Sequence, residues 1–418
     1  MRIVMLFVGL GALLPRAQAQ LPQVQVPQVQ VPGVGQVLPE SARAVGGTLR
    51  QLSGARALRA DRLFNENRAQ LDRDPRGELV VRAEVIAIDI TAQALEKAQK
   101  ADFRVLRAEE LPELGLKITI LQTPEGMSAA RGLKRLRKLD PAGSYDFNHV
   151  YLDSGEVLLA LAAPGARTAA GESSGAALPG RVGLIDGGVD EAHQAFRPLK
   201  LNRFGCQGAV VPSAHGTAVA SILVSRGTIG ELFAADVYCG EPAGGAVDAV
   251  AAAFGWMSRE KVAVINVSLV GPRNALLERV VGNLVARGHV IVAAVGNDGP
   301  AAPPLYPAAY EGVVGVTGVD GRHRVLVEAC RGKQVDFAAL GAEVSAASKA
   351  PDLYAPVRGT SFAAPLVAAL LADIRLPDSA SRASSLEKLA STAQDLGKPG
   401  RDDVYGAGEI IHSGTGRP

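Results

Sequence analysis

From Arg181 onward the chain alternates almost uninterrupted apolar runs with longer stretches of helical period. RVGLID (181–186), LFAADVY (232–238), VAVINVSLV (262–270), HVIVAAVGN (289–297) and GVVGVTGV (312–319) read as strands covered on both faces. Helical spacing predicts helices at about 215–225, 245–259, 274–287 and 361–374. This layout predicts an α/β fold, a mostly parallel sheet with helices on both faces. Sites in such sheets form outside the carboxyl ends of the strands.

Residues 79–153 carry a different rhythm. VRAEVIAIDI sets Val81, Ala83, Val85 and Ala87 against Arg82 and Glu84, as a half-buried strand does, and LGLKITILQ sets Leu116, Ile118 and Ile120 against Lys117 and Thr119. A helix is predicted at 92–101, and a second puts Met127, Ala130, Leu133 and Leu136 on one face. With short strands near 103–107 and 147–152, the order βαββαβ suits a small ferredoxin-like α+β unit. Lys134, Arg135, Arg137 and Lys138 read as the solvated face of that second helix.

The remaining segments lack such periodicity. Residues 1–19 place Arg2 before an apolar core from Ile3 to Leu14 and end on the small-residue pattern Ala17-Gln18-Ala19, which reads as a signal peptide, its apolar core too short to span a bilayer. A Pro/Gln/Val-rich tether follows at 20–39, then a charged helical region at 40–78 with Leu49, Leu52, Leu58 and Leu63. Residues 154–180 are Gly, Ala, Ser and Pro and read as a linker, and 413–418 as a tail after a domain at 181–412. Export to the periplasm or exterior, without stable membrane insertion, is therefore expected.

Composition narrows the chemistry. A chain of 418 residues with 47% hydrophobic residues can hold a sizeable core, and a formal charge of +2 argues against a nucleic-acid partner. Cys206, Cys239 and Cys330 form an odd set for an oxidising compartment. Either Cys206 pairs with Cys239 and Cys330 stays a thiol, or all three are free.

Three strand ends and helix starts carry reactive side chains. VGLIDGGVD ends a strand with Asp186, SAHGTAVAS presents His215 where a helix begins, and RGTSFAAP presents Ser361 where another begins. An acid, an imidazole and a hydroxyl are the parts of nucleophilic catalysis: the imidazole takes the hydroxyl proton and the carboxylate fixes its tautomer. Asn297, in AAVGNDGP, could donate an N–H to a developing oxyanion. Singly, each has a plainer reading as a turn or a helix cap. Pro365 has no N–H, so a helix through it leaves the carbonyl of Ser361 free.

Two other signals are set aside. GESSG around Ser173 matches a G-x-S-x-G elbow but lacks the flanking strand and helix. His193, with Asp190 and Glu191, reads as a surface turn rather than a metal site, and His149, His289, His323 and His412 read as structural. No metal and no cofactor are expected.

Taken together, these motifs resemble the subtilisin-like serine peptidases, or subtilases, over residues 181–412. HGTAVAS is similar to the family's histidine motif, GTSFAAP to its serine motif with Phe362 where Met is commoner, and INVSLVGP and AAVGNDGP to its substrate-binding and oxyanion segments. The chain order Asp, His, Ser is that of subtilisin; it contradicts an α/β-hydrolase esterase. The resemblance implies that Asp186 orients His215, that His215 is the general base, and that Ser361 is the nucleophile. It implies an oxyanion hole at Asn297 and substrate binding by Ser268, Leu269, Val270, Gly271, Val295 and Gly296.

By the same resemblance the 79–153 unit is a propeptide, and the protein a secreted, self-processing serine endopeptidase. Its partners would be polypeptide substrates and its own propeptide, and it would act as a monomer. The chain departs from the family at Gly187, where a hydroxyl usually follows the Asp, and at Val270, which with Val295 should narrow the primary pocket toward small or medium apolar residues. A binding protein on a subtilase scaffold is the alternative.

Overall fold

The computed structural model describes residues 54–157, 180–197, 199–225, 228–348, 352–373 and 379–411. The signal peptide, the tether, most of the linker including Ser173, and His412 lie outside the described residues. Helix α1 (Ala55–Glu66) leads through β1 (Leu71–Arg73) into β2 (Leu79–Ile88), α2 (Ala92–Lys100), β3 (Arg104–Leu111), β4 (Leu116–Gln122), α3 (Ala129–Leu139) and β5 (Ser144–His149). The helices start where side chains can satisfy free N–H groups: Thr91 accepts from Ala94 N–H and Ser128 from Arg131 N–H. β5, β2, β4 and β3 lie antiparallel in that order, as βαββαβ order requires, with β1 added against the start of β2.

The central strands β2 and β4 are buried on both faces, which alternation alone does not reveal, while the edge strand β3 is exposed. Val85, Ala87 and Leu121 pack with Phe103, Leu133 and Leu136. On the other face Ile86, Ile88, Ile118 and Ile120 share a core with Val250, Phe254, Met257, Leu276 and Val280 of the following domain. Each such side chain, fully buried, contributes roughly 1.5–3 kcal/mol. A bulge between Val80 and Val85, with Ala83 at φ 58°, breaks the period-2 pattern, and so Val81 and Ala83 are only half-buried.

Two short strands follow, β6 (Leu152–Asp153) and β7 (Glu156–Val157), so the first residues of the expected linker are strand-paired chain. The larger domain comprises β8 (Gly180–Asp186), β9 (Lys200–Phe204), α4 (Ala214–Val224), β10 (Ile229–Asp236), α5 (Val247–Arg259), β11 (Val264–Val267), β12 (Leu269–Val270) and α6 (Ala275–Ala286). It continues with β13 (Val290–Ala294), β14 (Val314–Val319), β15 (Phe337–Leu340), β16 (Ala342–Ala347), β17 (Tyr354–Arg358), α7 (Thr360–Asp373) and α8 (Ser379–Thr392).

Seven parallel strands run in the order β15-β14-β13-β11-β8-β10-β9. One face of the sheet packs with α5 and α6, the other with α4, α7 and α8. The all-apolar run after Ser361 is explained by position: α7 crosses the middle of the sheet and is buried on nearly every side. Among the described residues no helix is long and apolar enough to cross a membrane.

The cysteines follow the first alternative. Cys206 and Cys239 form a disulfide across the ends of β9 and β10, and Cys330 is a buried thiol whose pKa burial pushes up to about 12. His193 is a correction. It is fully buried, with Nδ1 accepting from Ala195 N–H, Nε2 lying 3.1 Å from Leu353 O, and rings of Phe196 and Tyr354 against it.

His149 is structural, at the seam between the two domains. The Asn274 amide is fixed by accepting from Leu276 N–H and Leu277 N–H, so its Nδ2 donates to His149 Nδ1 at 2.9 Å. His149 Nε2 therefore carries the proton and faces Asp74 Oδ2 at 3.4 Å. Burial would raise the Asp74 pKa, but His149 and the N–H groups of Glu78 and Arg76 outweigh it and hold it at about 2, below the ordinary 3.8. Ionised Asp74 thus contributes stability present above pH 3.8 and lost as pH falls through about 2. Thermal melts should show Asp74→Asn lowering Tm at neutral pH and flattening the fall in Tm between about pH 4 and pH 2.

Candidate active site

The carboxyl ends of the central strands bring the sequence-predicted residues together. Asp186 is the last residue of β8, and His215 sits in the first turn of α4, whose cap is Ser213, accepting from Gly216 N–H at 2.8 Å. His215 Nδ1 lies 2.9 and 3.0 Å from the two Asp186 oxygens, and Oδ1 also accepts from Gly187 N–H at 2.6 Å. That contact puts the proton of a neutral imidazole on Nδ1 and leaves the lone pair on Nε2. Nε2 is buried and has no hydrogen-bond partner among the described residues. The missing hydroxyl at Gly187 also has a local reason. A β-carbon there would stand 2.3 Å from Ser213 Oγ, so the cap hydroxyl occupies the place a side chain would take.

Ser361 is the second residue of α7, fully buried. Its hydroxyl donates to Ser268 O at 3.1 Å and lies 2.8 Å from Ser154 Oγ rather than bonding His215. The carbonyl of Ser361, which Pro365 leaves free, accepts from Ser268 Oγ at 2.9 Å, and Ser268 Oγ in turn accepts from Asn266 Nδ2 at 2.9 Å. β11 and β12 are thereby tied to the first turn of α7.

Asn297 is held at both ends of its amide. Oδ1 accepts from Thr360 N–H at 3.1 Å, which turns Nδ2 toward the carbonyl of Ser154, to which it donates. Ser361 N–H reaches the same carbonyl at 3.4 Å. Thr360 Oγ1 accepts from Gly296 N–H at 3.2 Å, so one threonine fixes the whole loop. Sequence reasoning passed over Thr360; its hydroxyl beside Ser361 in GTS was the available signal. Gly359 is at φ 138°, and a β-carbon there would come 3.0 Å from Asn297 Nδ2 and 3.1 Å from Ser154 O.

Leu269 and Val270 pair antiparallel with Asp153 and Leu152. Ser268, Leu269, Val270, Gly271, Val295 and Gly296 are all buried beneath residues 151–155 or behind them. A cleft of about 560 Å³ opens beside His215, bounded by Arg59, Asp153, Val211, Tyr238 and Pro242. Behind it, Asp236 accepts from Tyr238 N–H and Cys239 N–H, while burial, aided by the nearby Asp186 charge, raises its pKa. The grouping of Cys206, Cys239 and Asp236 offers no thiolate for a metal, because both sulfurs are in the disulfide.

A sequence model of the subtilase family matches residues 181–408. Subtilisin DY of Bacillus licheniformis is 31% identical over 247 residues, covering 55% of this chain and 88% of its own. Subtilisin BL of Lederbergia lenta is 31% identical over 208 residues, 47% of this chain and 76% of its own. The minor extracellular protease Epr of Bacillus subtilis is 30% identical over 208 residues, and there the match spans only 32% of the relative. Among solved structures, fervidolysin from Fervidobacterium pennivorans, a keratinolytic enzyme related to subtilisin, superposes with a TM-score of 0.64 at 19% identity. It covers 81% of this chain and 61% of its own, so the shared fold extends beyond the family-matched residues. With a buried Asp186–His215 pair, and with Asn297 and Ser361 meeting on one peptide carbonyl, all four residues lying in the matched region, the chain belongs to the subtilase family of serine peptidases.

Proposed function

We propose that the protein is an exported serine endopeptidase made as a self-processing zymogen, with Asp186, His215 and Ser361 as its triad. One observation carries this reading: a backbone carbonyl rests on the Asn297 amide and the Ser361 N–H. Those donors stand where negative charge develops when a carbonyl is attacked, and they sit at a helix start with free N–H groups.

In this mechanism Ser361 Oγ adds to the substrate carbonyl carbon while His215 Nε2 takes the hydroxyl proton. Asp186 holds Nδ1–H and stabilises the imidazolium. The imidazolium protonates the leaving amine as the C–N bond breaks. Water, deprotonated by His215, then cleaves the acyl-enzyme ester. Residues 268–271 pair with the substrate backbone, and Val295 and Gly296 line the facing wall, narrowed by Val270 and Val295 toward small residues. The α+β unit at 79–153 is the prosegment, and residues 1–19 read as an export signal. The word "extracellular" in the name of one relative supports the same destination.

A fluorophosphonate probe should label the active enzyme once, at Ser361, with labelling lost in Ser361→Ala; an unlabelled wild-type domain freed of its prosegment would favour a binding protein on this scaffold. Asn297→Ala should lower kcat by about 10²–10³ with little change in KM, the magnitude known for the oxyanion donor of subtilisin itself. Thr360→Val strands the Gly296 N–H beside Asn297 while keeping the Thr360 N–H to Asn297 Oδ1 bond, and so loosens the loop from one side. It should cost roughly 1–3 kcal/mol of stability in denaturant melts and reduce kcat more than it alters KM.

A further inference from the structure

Residues 150–157 cross the site as a continuous extended segment, held on both edges. Val150 bridges Ala246, and Tyr151 N–H donates to Gly245 O at 2.8 Å on one side. On the other, Leu152 and Asp153 pair with Val270 and Leu269, and Ser154 N–H donates to Ser268 O at 3.3 Å. Beyond the site β7 pairs antiparallel with β17, the strand that runs into Gly359 and Ser361. Between those two anchors a single carbonyl, that of Ser154, reaches the Asn297 and Ser361 donors.

We propose that Ser154–Gly155 is the bond this protein cuts in itself, and that residues 150–154 then remain in the cleft as a product-like inhibitor. The inference rests on the peptidase reading above. The Ser361 hydroxyl turns from Ser268 O to His215 Nε2, and Oγ bonds to the Ser154 carbonyl carbon as Nε2 takes its proton. The Ser154–Gly155 C–N bond breaks, and Gly155 leaves as an amine carrying that proton. Water hydrolyses the Ser154 ester, giving a carboxylate and restoring the Ser361 hydroxyl.

Two side chains of the segment, Tyr151 and Asp153, hold it in register. Tyr151 is fully buried, its hydroxyl donating to Pro272 O at 2.6 Å and its ring lying where a β-carbon on Gly271 would come within 2.6 Å. Asp153 forms an ion pair with Arg59 of α1. Arg56, one turn earlier, donates to Asp298 Oδ2 at 2.7 Å, next to Asn297. The charged helix at 55–66, to which the sequence assigned no role, therefore straps the outside of the scissile strand. Ser154 is itself small, as a pocket narrowed by Val270 and Val295 requires.

The test is amino-terminal sequencing and intact mass of the full chain after expression, with the fluorophosphonate probe in parallel. The expected result is a mature fragment beginning at Gly155 and a prosegment ending at Ser154 that co-elute on size exclusion, with Ser361→Ala left uncut. In Gly155→Val a β-carbon would stand 2.7 Å from the Phe362 ring and 3.1 Å from Ser361 Cβ. Processing of that variant should slow by about a hundredfold, as displacing a reacting bond does. In the full chain Tyr151→Ala, which removes the ring packed on Gly271 and the bond to Pro272 O, should slow the same cut about tenfold or more. A first cut within residues 158–179, by an enzyme that still takes the probe at Ser361, overturns this inference and leaves the peptidase reading standing. No cut and no label overturns both.

Discussion

The Asn297 amide can aim its Nδ2 at a peptide carbonyl because Thr360 holds its other end. Two hydrogen bonds from one residue, Thr360 N–H to Asn297 Oδ1 and Gly296 N–H to Thr360 Oγ1, join the loop after β13 to the start of α7. A third tie, Ser268 Oγ to the carbonyl that Pro365 leaves free, joins β12 to the same turn. Ser361, Asn297 and β12 are thus one hydrogen-bonded body. This is the preorganisation that makes donors effective in a site closed to water. The Ser361 hydroxyl stands apart: with residues 150–157 in place it donates to Ser268 O, and among the described residues His215 Nε2 has no partner.

The amino-terminal unit is part of the same constraint. Its central strands have no solvated face, because Ile86, Ile88, Ile118 and Ile120 meet α5 and α6 while Val85, Ala87 and Leu121 meet its own helices. Asn274, the cap of α6, donates to Phe147 O and to His149, so the seam is polar as well as apolar. The strand leading out of this unit has one course, between residues 245–246 and 269–270, and it ends on Ser361. Binding of the sheet and filling of the cleft are two ends of one rigid lever.

Electrostatics at the site is local. Arg56 is shared by Asp298 and Glu78, Arg59 meets Asp153, and the Cys206–Cys239 disulfide braces the strand ends beside Asp236. The buried Cys330 thiol, which donates its backbone N–H to Gly296 O, packs behind the oxyanion loop, and its raised pKa keeps it uncharged.

Much was legible before any coordinates. Near-continuous apolar runs at 181–186, 289–297 and 312–319 located buried parallel strands because a strand covered on both faces has no polar side to show, and Asp186, His215, Asn297 and Ser361 stood out because they interrupt such runs at their ends. The absent N–H of Pro365 foretold an unpaired carbonyl, but its partner, Ser268, lies 93 residues away in sequence. Long-range partners of this kind belonged to the tertiary structure: the second apolar face of the α+β sheet, the burial of His193, Thr360 as the lock on Asn297, and Ser154 over the nucleophile. Periodicity records which side of an element is apolar; it carries no record of what will be packed against that side.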